Sequence, residues 1–283
     1  MNSIAWIEPY GWGTPAELPL PADARGVLLA EGVFETVLVL AGRARLLEAH
    51  LARWHQGASL LGLQSPPELA EVSALVDTAI ARSGIAEGAL RLNWCRGSGP
   101  RGLDPADAAG AGANHLFWLQ LSTHTPVFAP VTVIVSPTEV RSATSLLSRC
   151  KSFGYGSALI ARRQAREAGV DDALLRSSNG DLCCGTSSNL LVRCGNSWLT
   201  PPLASGCLAG IMRQQALACG LATEAPLGDA DLERCEEAVL LNSLGCRPIH
   251  NKGRACGPGL NDQHACERAS ALWHGLLQGR SES

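Results

Sequence analysis

Of the 23 basic residues in this 283-residue sequence only two are lysines, Lys151 and Lys252. Arginine supplies every other positive side chain. An arginine stays protonated in proteins, whereas a lysine can give up its proton when desolvated and can condense with a carbonyl to form an imine. Lys151 sits in Cys150-Lys151-Ser152-Phe153-Gly154-Tyr155-Gly156, shortly after Leu146-Leu147. Its apolar flanks permit partial burial, so Lys151 is a candidate catalytic amine; the competing reading is an ordinary solvated lysine. Lys252, in Asn251-Lys252-Gly253-Arg254, lies among turn formers and reads as a solvated loop.

Three further stretches could bind anions. Leu208-Ala209-Gly210-Ile211-Met212-Arg213 puts a glycine at the start of a helical pattern, where unpaired N–H groups and the positive dipole end suit a phosphate; a plain helix boundary reads the same way. Arg53 lies three residues after His50, so the two share a helix face. Arg53 could clamp a phosphate with two N–H groups or stand in solvent, and His50 reads as a hydrogen-bonded packing residue. Arg96-Gly97-Ser98-Gly99-Pro100-Arg101-Gly102 is a glycine-rich loop with two arginines, suited to a carboxylate or simply a turn. It carries neither the dinucleotide nor the Walker glycine pattern. Gly185-Thr186-Ser187-Ser188-Asn189 offers hydroxyls and an amide just before a strand. Ser-His-Asp order, a nucleophile elbow and metal-ligand spacing are all missing from the sequence, and no metal is expected.

These groups need a scaffold. At 46% hydrophobic and 17% charged residues the chain is globular, and its net charge of −3 gives no reason to expect nucleic acid or an anionic membrane as partner. The first 20 residues hold Glu8, Pro9, Pro15 and Pro19 rather than a basic segment followed by an apolar core, and no apolar run is long enough to span a bilayer. The eleven cysteines form no Cys-x-x-Cys pair and several lie in apolar runs. They point to a reduced, cytoplasmic setting rather than to disulfides or zinc.

Residues 1–27 read mostly as loop. Strands are expected at 33–40, 89–95, 115–121, 131–135, 172–176, 189–193 and 238–241. Helices are expected at 46–63, from Pro66-Pro67 to Ala81 with closure near Gly84, and at 158–169, 210–219 and 265–277. The stretch from Asp104 to Ala113 is small and flexible in composition. Two prolines between Thr123 and Pro130 mark a boundary. The chain is therefore expected to be α/β (α+β), with a smaller N-terminal α/β domain over 1–125 and a larger C-terminal domain over 126–283 that carries Lys151.

Taken together and in order, these stretches resemble the fold-type-IV pyridoxal-phosphate enzymes, which include branched-chain and D-amino-acid aminotransferases and aminodeoxychorismate lyase. The resemblance runs from about Gly32 to Ile249. It rests on Glu31-Gly32-Val33-Phe34-Glu35-Thr36, Leu46-Leu47-Glu48-Ala49-His50-Leu51-Ala52-Arg53, the loop ending in Arg101-Gly102, Lys151 with 165–174 after it, Gly185-Thr186-Ser187-Ser188-Asn189-Leu190, Thr200-Pro201-Pro202, Gly210-Ile211-Met212-Arg213-Gln214 and Asn242-Ser243-Leu244. Within the family, the Arg101-Gly102 loop and the Gly210–Gln214 run look most like the lyase.

The resemblance implies pyridoxal 5'-phosphate as cofactor, joined to Lys151 as an imine, with Lys151 also moving protons. It implies cofactor contacts from Arg53, Cys184, Ser188, Asn189, Gly210, Ile211, Met212 and Ser243, substrate contacts from Thr36, Arg101 and Asn242, and a homodimer. One position departs from the pattern. Five residues before the asparagine the family usually has a glutamate that keeps the pyridine nitrogen protonated; here Cys184 stands there, and the nearest acid is Asp181. A thiol supports a pyridinium far less well than a carboxylate. The weaker electron sink leans towards elimination, with aromatisation as driving force. The expected reaction is thus conversion of 4-amino-4-deoxychorismate to 4-aminobenzoate and pyruvate, a step towards folate. The alternatives are a branched-chain or D-amino-acid aminotransferase, or a non-catalytic relative that binds the cofactor or a partner.

Overall fold

The computed structural model describes residues 2–99, 102–104, 114–195, 197–251, 254–255 and 262–279. The chain separates into two compact units, one formed by Met1–Thr125 and Cys150–Gly154, the other by Pro126–Arg149 and Tyr155–Ser283. Among the described residues no helix is long and apolar enough to cross a membrane.

The first unit is an antiparallel sheet under two helices. Its strands are β1 (Ser3–Ile7), β2 (Gly11–Gly13), β3 (Gly32–Leu40), β4 (Arg43–Ala44), β5 (Gly88–Arg96) and β6 (His115–Thr123), in the order β2-β1-β6-β5-β3-β4. After the single turn α1 (Arg25–Leu28), the helices are α2 (Leu47–Leu60) and α3 (Leu69–Ser83). Side chains alternate across a strand, so Val33, Glu35, Val37 and Val39 of β3 share one face. The three valines meet Leu51, Trp54 and Ala58 of α2 and Val72, Val76 and Ala79 of α3 in one core. α3 ends where expected: Gly84 adopts φ +70°, and its N–H closes on Ile80.

The reading of residues 1–27 as mostly loop is corrected by β1. This five-residue run pairs with β6 and buries Ala5 and Ile7. It is too short for periodicity to declare, and only its long-range pairing makes it a strand.

The second unit is built on a mixed sheet. Its strands are β7 (Val131–Arg141), β8 (Asp172–Ser177), β9 (Leu182–Gly185), β10 (Asn189–Cys194), β11 (Ser197–Thr200), β12 (Ala222–Glu224), β13 (Glu237–Asn242), β14 (Gly245–Asn251) and β15 (Arg254–Ala255). The path is β12-β11-β10-β13-β14-β7-β8-β9, and β9 pairs back onto β10 through Cys184 and Asn189. Strands β10, β13, β14, β7, β8 and β9 therefore close a ring around Leu174, Leu182, Leu190, Val192, Leu240 and Ile249. The helices are α4 (Gly156–Glu167), α5 (Ile211–Ala218), α6 (Asp229–Arg234) and α7 (Asp262–Leu277). Of the alanines expected on one face of α4, Ala161 and Ala165 are buried, Ala158 is half-buried and Ala168, just past the helix, is exposed.

Lys151 is found in the first unit, not in the C-terminal domain to which the sequence reading assigned it. The reason is an open strand edge. β4 covers only Val39 and Leu40 of β3. The other end of that edge takes the Lys151 segment: Phe34 N–H donates to Lys151 O at 2.9 Å, Ser152 bridges Val33, and Phe153 N–H donates to Gly32 O at 3.0 Å.

Candidate active site

In the first unit the chemistry gathers on both faces of β3. The half-buried Lys151 holds its Nζ 4.4 Å from the centre of the Phe34 ring, and the guanidinium carbon of Arg91 lies 3.6 Å from the same ring. A cation over an aromatic face is drawn to the ring's negative quadrupole, so Phe34 collects two positive groups. Phe153, two residues after Lys151, packs 6.3 Å from Phe34, ring centre to ring centre. Gly32 is fixed by this packing, because a Cβ there would sit 2.6 Å from both the Phe153 ring and Cys95 Cβ. Thr36 is half-buried, two residues beyond Phe34 on the same face, and its direct cross-strand partner on β5 is Arg91. The structure therefore brings Lys151, Phe34, Thr36 and Arg91 together. Arg91 was not singled out from sequence. Its signal is the strand register, which places it opposite Thr36. Arg101 and Lys252 lie outside the described residues.

On the other face of β3, Glu35 is completely buried and meets α2. Arg53 Nε donates to Glu35 Oε1 at 2.8 Å and its terminal nitrogen to Oε2 at 2.6 Å; His50 Nδ1 is 2.8 Å from Oε2. Burial alone would raise the Glu35 carboxyl, but the charge of Arg53 and the hydrogen bonds from Arg53 and His50 outweigh it and hold the group at about 2. For His50 burial dominates the other way. It lowers the imidazole below its ordinary value despite the pull of Glu35, and the charges of Arg53 and Lys151 push in the same direction. His50 is thus the hydrogen-bonded packing residue expected from sequence. The i, i+3 spacing gave the shared face of His50 and Arg53, but gave no hint that a carboxylate on the facing strand would join them.

In the second unit the remaining site residues surround the start of α5. Gly210 is its N-cap residue and no side chain caps the helix, so the first-turn amides, those of Ile211 and Met212 among them, lack an acceptor from a capping side chain. Asn189 Nδ2 donates to Leu208 O at 2.9 Å and ties β10 to the entry of the helix. This approach is close: a Cβ on Gly210 would fall 1.9 Å from Asn189 Oδ1, so only glycine fits. Asn242 Nδ2 donates to Ser188 Oγ at 3.1 Å, while Asn242 Oδ1 accepts from Leu244 N–H at 2.8 Å and fixes the turn that holds Ser243. Trp273 of α7 buttresses that turn from behind, its Nε1 donating to Asn242 O at 2.9 Å. Ser188 and Asn189 are thus neighbours in the chain, the first reached by Asn242 and the second tied to the entry of α5 ahead of Gly210, where the Ile211 and Met212 side chains are buried. Cys184 is buried on β9, opposite Asn189. Asp181 lies in the turn before β9, three residues or roughly 10 Å of extended chain from Cys184.

The sequence profile described as amino-transferase class IV matches residues 32–251. A bifunctional aminodeoxychorismate lyase / D-amino acid transaminase of Mycobacterium tuberculosis is 30% identical over 214 residues, 69% of this chain and 70% of its own. A Methanocaldococcus jannaschii protein with the provisional name branched-chain-amino-acid aminotransferase is 27% identical over 228 residues, covering 77% of this chain and 73% of that one. Among solved structures, the PLP-bound form of a hypothetical aminotransferase from Mycobacterium tuberculosis superposes with a TM-score of 0.79 at 25% identity, over 98% of this chain and 99% of the other.

Proposed function

The chain belongs to the amino-transferase class IV family of pyridoxal-phosphate enzymes, and from that premise we propose that it is an aminodeoxychorismate lyase, releasing pyruvate from 4-amino-4-deoxychorismate to leave 4-aminobenzoate. In each unit the residues present suit one part of the cofactor. A phosphate monoester suits the uncapped start of α5, where Gly210 leaves room for Asn189 and the Ile211 and Met212 amides supply donors. In the second unit Ser188, Asn242 and Ser243 add hydroxyl and amide groups, and in the first Arg53, oriented by Glu35, is a fixed positive charge suited to an anion. The aldehyde of the cofactor has Lys151 as its amine partner. When bound, pyridoxal phosphate supplies an electron sink for the bond broken beside the substrate nitrogen.

In this reading Lys151 Nζ takes the proton from the ring carbon that bears the amine. The C–O bond to the enolpyruvyl group on the neighbouring carbon then breaks and the ring becomes aromatic. The same Nζ returns the proton to the methylene carbon of the departing enolpyruvate, giving pyruvate. Thr36 and Arg91, beside Lys151, supply a hydroxyl and a cation for the substrate, and Arg101 is a second candidate for its carboxylate. Exposed apolar side chains on α1 (Val27, Leu28) and at Leu146, Leu147 and Leu159 support a homodimer. The thiol-rich composition supports a cytoplasmic setting.

The observation that carries the lyase reading is Cys184, buried opposite Asn189 with Asp181 away in a turn. A thiol is a poor anion beside a pyridine nitrogen, and the weakened sink disfavours transamination more than an elimination driven by aromatisation. A second reading, an aminotransferase for branched-chain or D-amino acids, is favoured by the names of both relatives. The two separate in a paired assay: coupled pyruvate release from aminodeoxychorismate, and single-turnover spectra with D- and L-amino acids. The lyase reading predicts pyruvate, poor conversion of the cofactor to its pyridoxamine form, and faster conversion in Cys184→Glu. Rapid transamination without pyruvate overturns it. Inactivity in both assays with cofactor bound leaves a non-catalytic relative.

A further inference from the structure

Strand β5 carries a polar residue that the core does not call for. Asn93 is buried inside this strand, a setting in which asparagine is disfavoured. Its neighbours Leu92 and Trp94 enter the core shared with α2 and α3. Asn93 therefore projects from the other face of the sheet, as Arg91 does two residues earlier. The strand register lines that face with two rows taken across β3, β5 and β6. One holds Thr36, Arg91 and Gln120, and the next holds Phe34, Asn93 and Trp118.

The Asn93 amide is engaged at both ends. Arg91 Nε donates to Asn93 Oδ1 at 2.7 Å, and Asn93 Nδ2 donates to Trp118 O at 3.3 Å. A guanidinium can only donate and a carbonyl oxygen can only accept, so the amide has one orientation that satisfies both. Asn93 is thus anchored to the neighbouring strand while it presents an acceptor to Arg91. Phe34, the direct cross-strand partner of Asn93, holds the guanidinium a second time, with its ring centre 3.6 Å from the guanidinium carbon. An arginine side chain is long and rich in rotamers. A hydrogen bond at Nε and a ring under the guanidinium together restrict where it lies and which way it faces. Lys151 Nζ stands 4.4 Å from the same ring centre. Trp118, whose carbonyl takes the Asn93 amide, meets Phe153 edge to face with ring centres 5.8 Å apart. The network therefore joins Arg91 to the short segment that carries Lys151, and all of it lies within the first unit.

We propose that Asn93 is a positioning residue for Arg91, and that the pair selects substrates bearing a carboxylate. The terminal nitrogens of a guanidinium form a planar fork that matches a carboxylate. Without the Nε bond that fork swings about the Phe34 ring; with it, one direction of approach is set, close to the amine that reacts. The inference rests on the assignment of Arg91 to the substrate made above. It holds for the lyase and the aminotransferase readings alike, since the substrates of both carry a carboxylate.

The test titrates the holoenzyme by calorimetry with 4-aminobenzoate and with aniline, the same amine without the carboxylate. Pyruvate and acetone form a second such pair. The wild type should bind the carboxylate more tightly. Asn93→Ala should lower that affinity about fivefold, the loss of roughly one net hydrogen bond, and leave aniline or acetone unchanged. Asn93→Asp, nearly the same in shape, should lower it about tenfold or more, because its own carboxylate pairs with Arg91. That variant also carries the test if Asn93→Ala folds poorly. In an Arg91→Ala background Asn93→Ala should add no further loss. Equal weakening of both members of a pair marks a merely structural asparagine and overturns the proposal. So do Asn93 variants that bind the carboxylate as the wild type does while Arg91→Ala does not; Arg91 then keeps its role. A carboxylate preference that survives Arg91→Ala, or that the wild type lacks in both pairs, overturns the assignment of Arg91 and the role of Asn93 with it. Preference in the pyruvate pair alone counts against the lyase reading, and Asn93 is then judged on that pair.

Discussion

Replacing Glu35 by glutamine probes the buried pair that fixes Arg53. The carboxylate is fully buried, accepts two hydrogen bonds from Arg53 at 2.8 and 2.6 Å, and has His50 at 2.8 Å. Held at about 2 against an ordinary 4.5, it favours the folded state by roughly 3 kcal/mol near neutral pH. Its folded value lies below the unfolded one, so this stability is fully present above about pH 4.5 and is lost as pH falls towards 2. His50 acts in the same direction at higher pH: its folded value lies below 6.5, so acidification below that point favours the unfolded state. Glutamine removes the charge but leaves the Arg53 guanidinium buried, and breaking a buried pair from one side costs about 3–5 kcal/mol. Urea unfolding of Glu35→Gln at pH 7 should show a loss of that size. The acid limb between pH 4.5 and 2 should also flatten relative to wild type. A loss under about 1 kcal/mol, or an acid limb as steep as in the wild type, would refute the assignment of Glu35 as the carboxylate that fixes Arg53.

Two further substitutions test one group in each unit. Gly210→Ala places a Cβ 1.9 Å from Asn189 Oδ1. It should displace the Asn189–Leu208 bond and weaken pyridoxal-phosphate affinity about tenfold or more, read by equilibrium ultrafiltration; unchanged affinity would remove the α5 start from the phosphate site. Phe34→Leu removes the ring shared by Lys151 and Arg91. It should cost about 0.5–2 kcal/mol of cofactor affinity, whereas Phe34→Tyr, which keeps an aromatic face, should match the wild type; equal loss in both variants would show that packing alone matters there.

The sequence declared those parts of the molecule whose signal is local. A run rich in β-branched and apolar residues marks β3, helical spacing marks α2, and a glycine in the left-handed region ends α3 at Gly84. Lys151 stood out because lysine is nearly absent from the chain. What joins these pieces is nonlocal. Phe34 meets Lys151 only because β4 leaves one end of the β3 edge open to the Lys151 segment. Glu35 reaches His50 and Arg53 across 15 and 18 positions. β1 gains its strand identity from β6, and the ring in the second unit closes through the single pair Cys184–Asn189. The assignment of Lys151 to the C-terminal domain failed for the same reason: a boundary read from composition cannot foresee a short segment returning to an earlier strand edge.

The central claim is that Lys151 is the amine that carries the cofactor, and the sequence makes its test unusually clean because Lys252 is the only other lysine. Borohydride reduction of the holoenzyme, followed by proteolysis and mass mapping, should place the reduced pyridoxyl phosphate on the peptide containing Lys151, and Lys151→Ala should retain no reducible cofactor. A label on Lys252, or covalent fixation that persists in Lys151→Ala, would contradict the account.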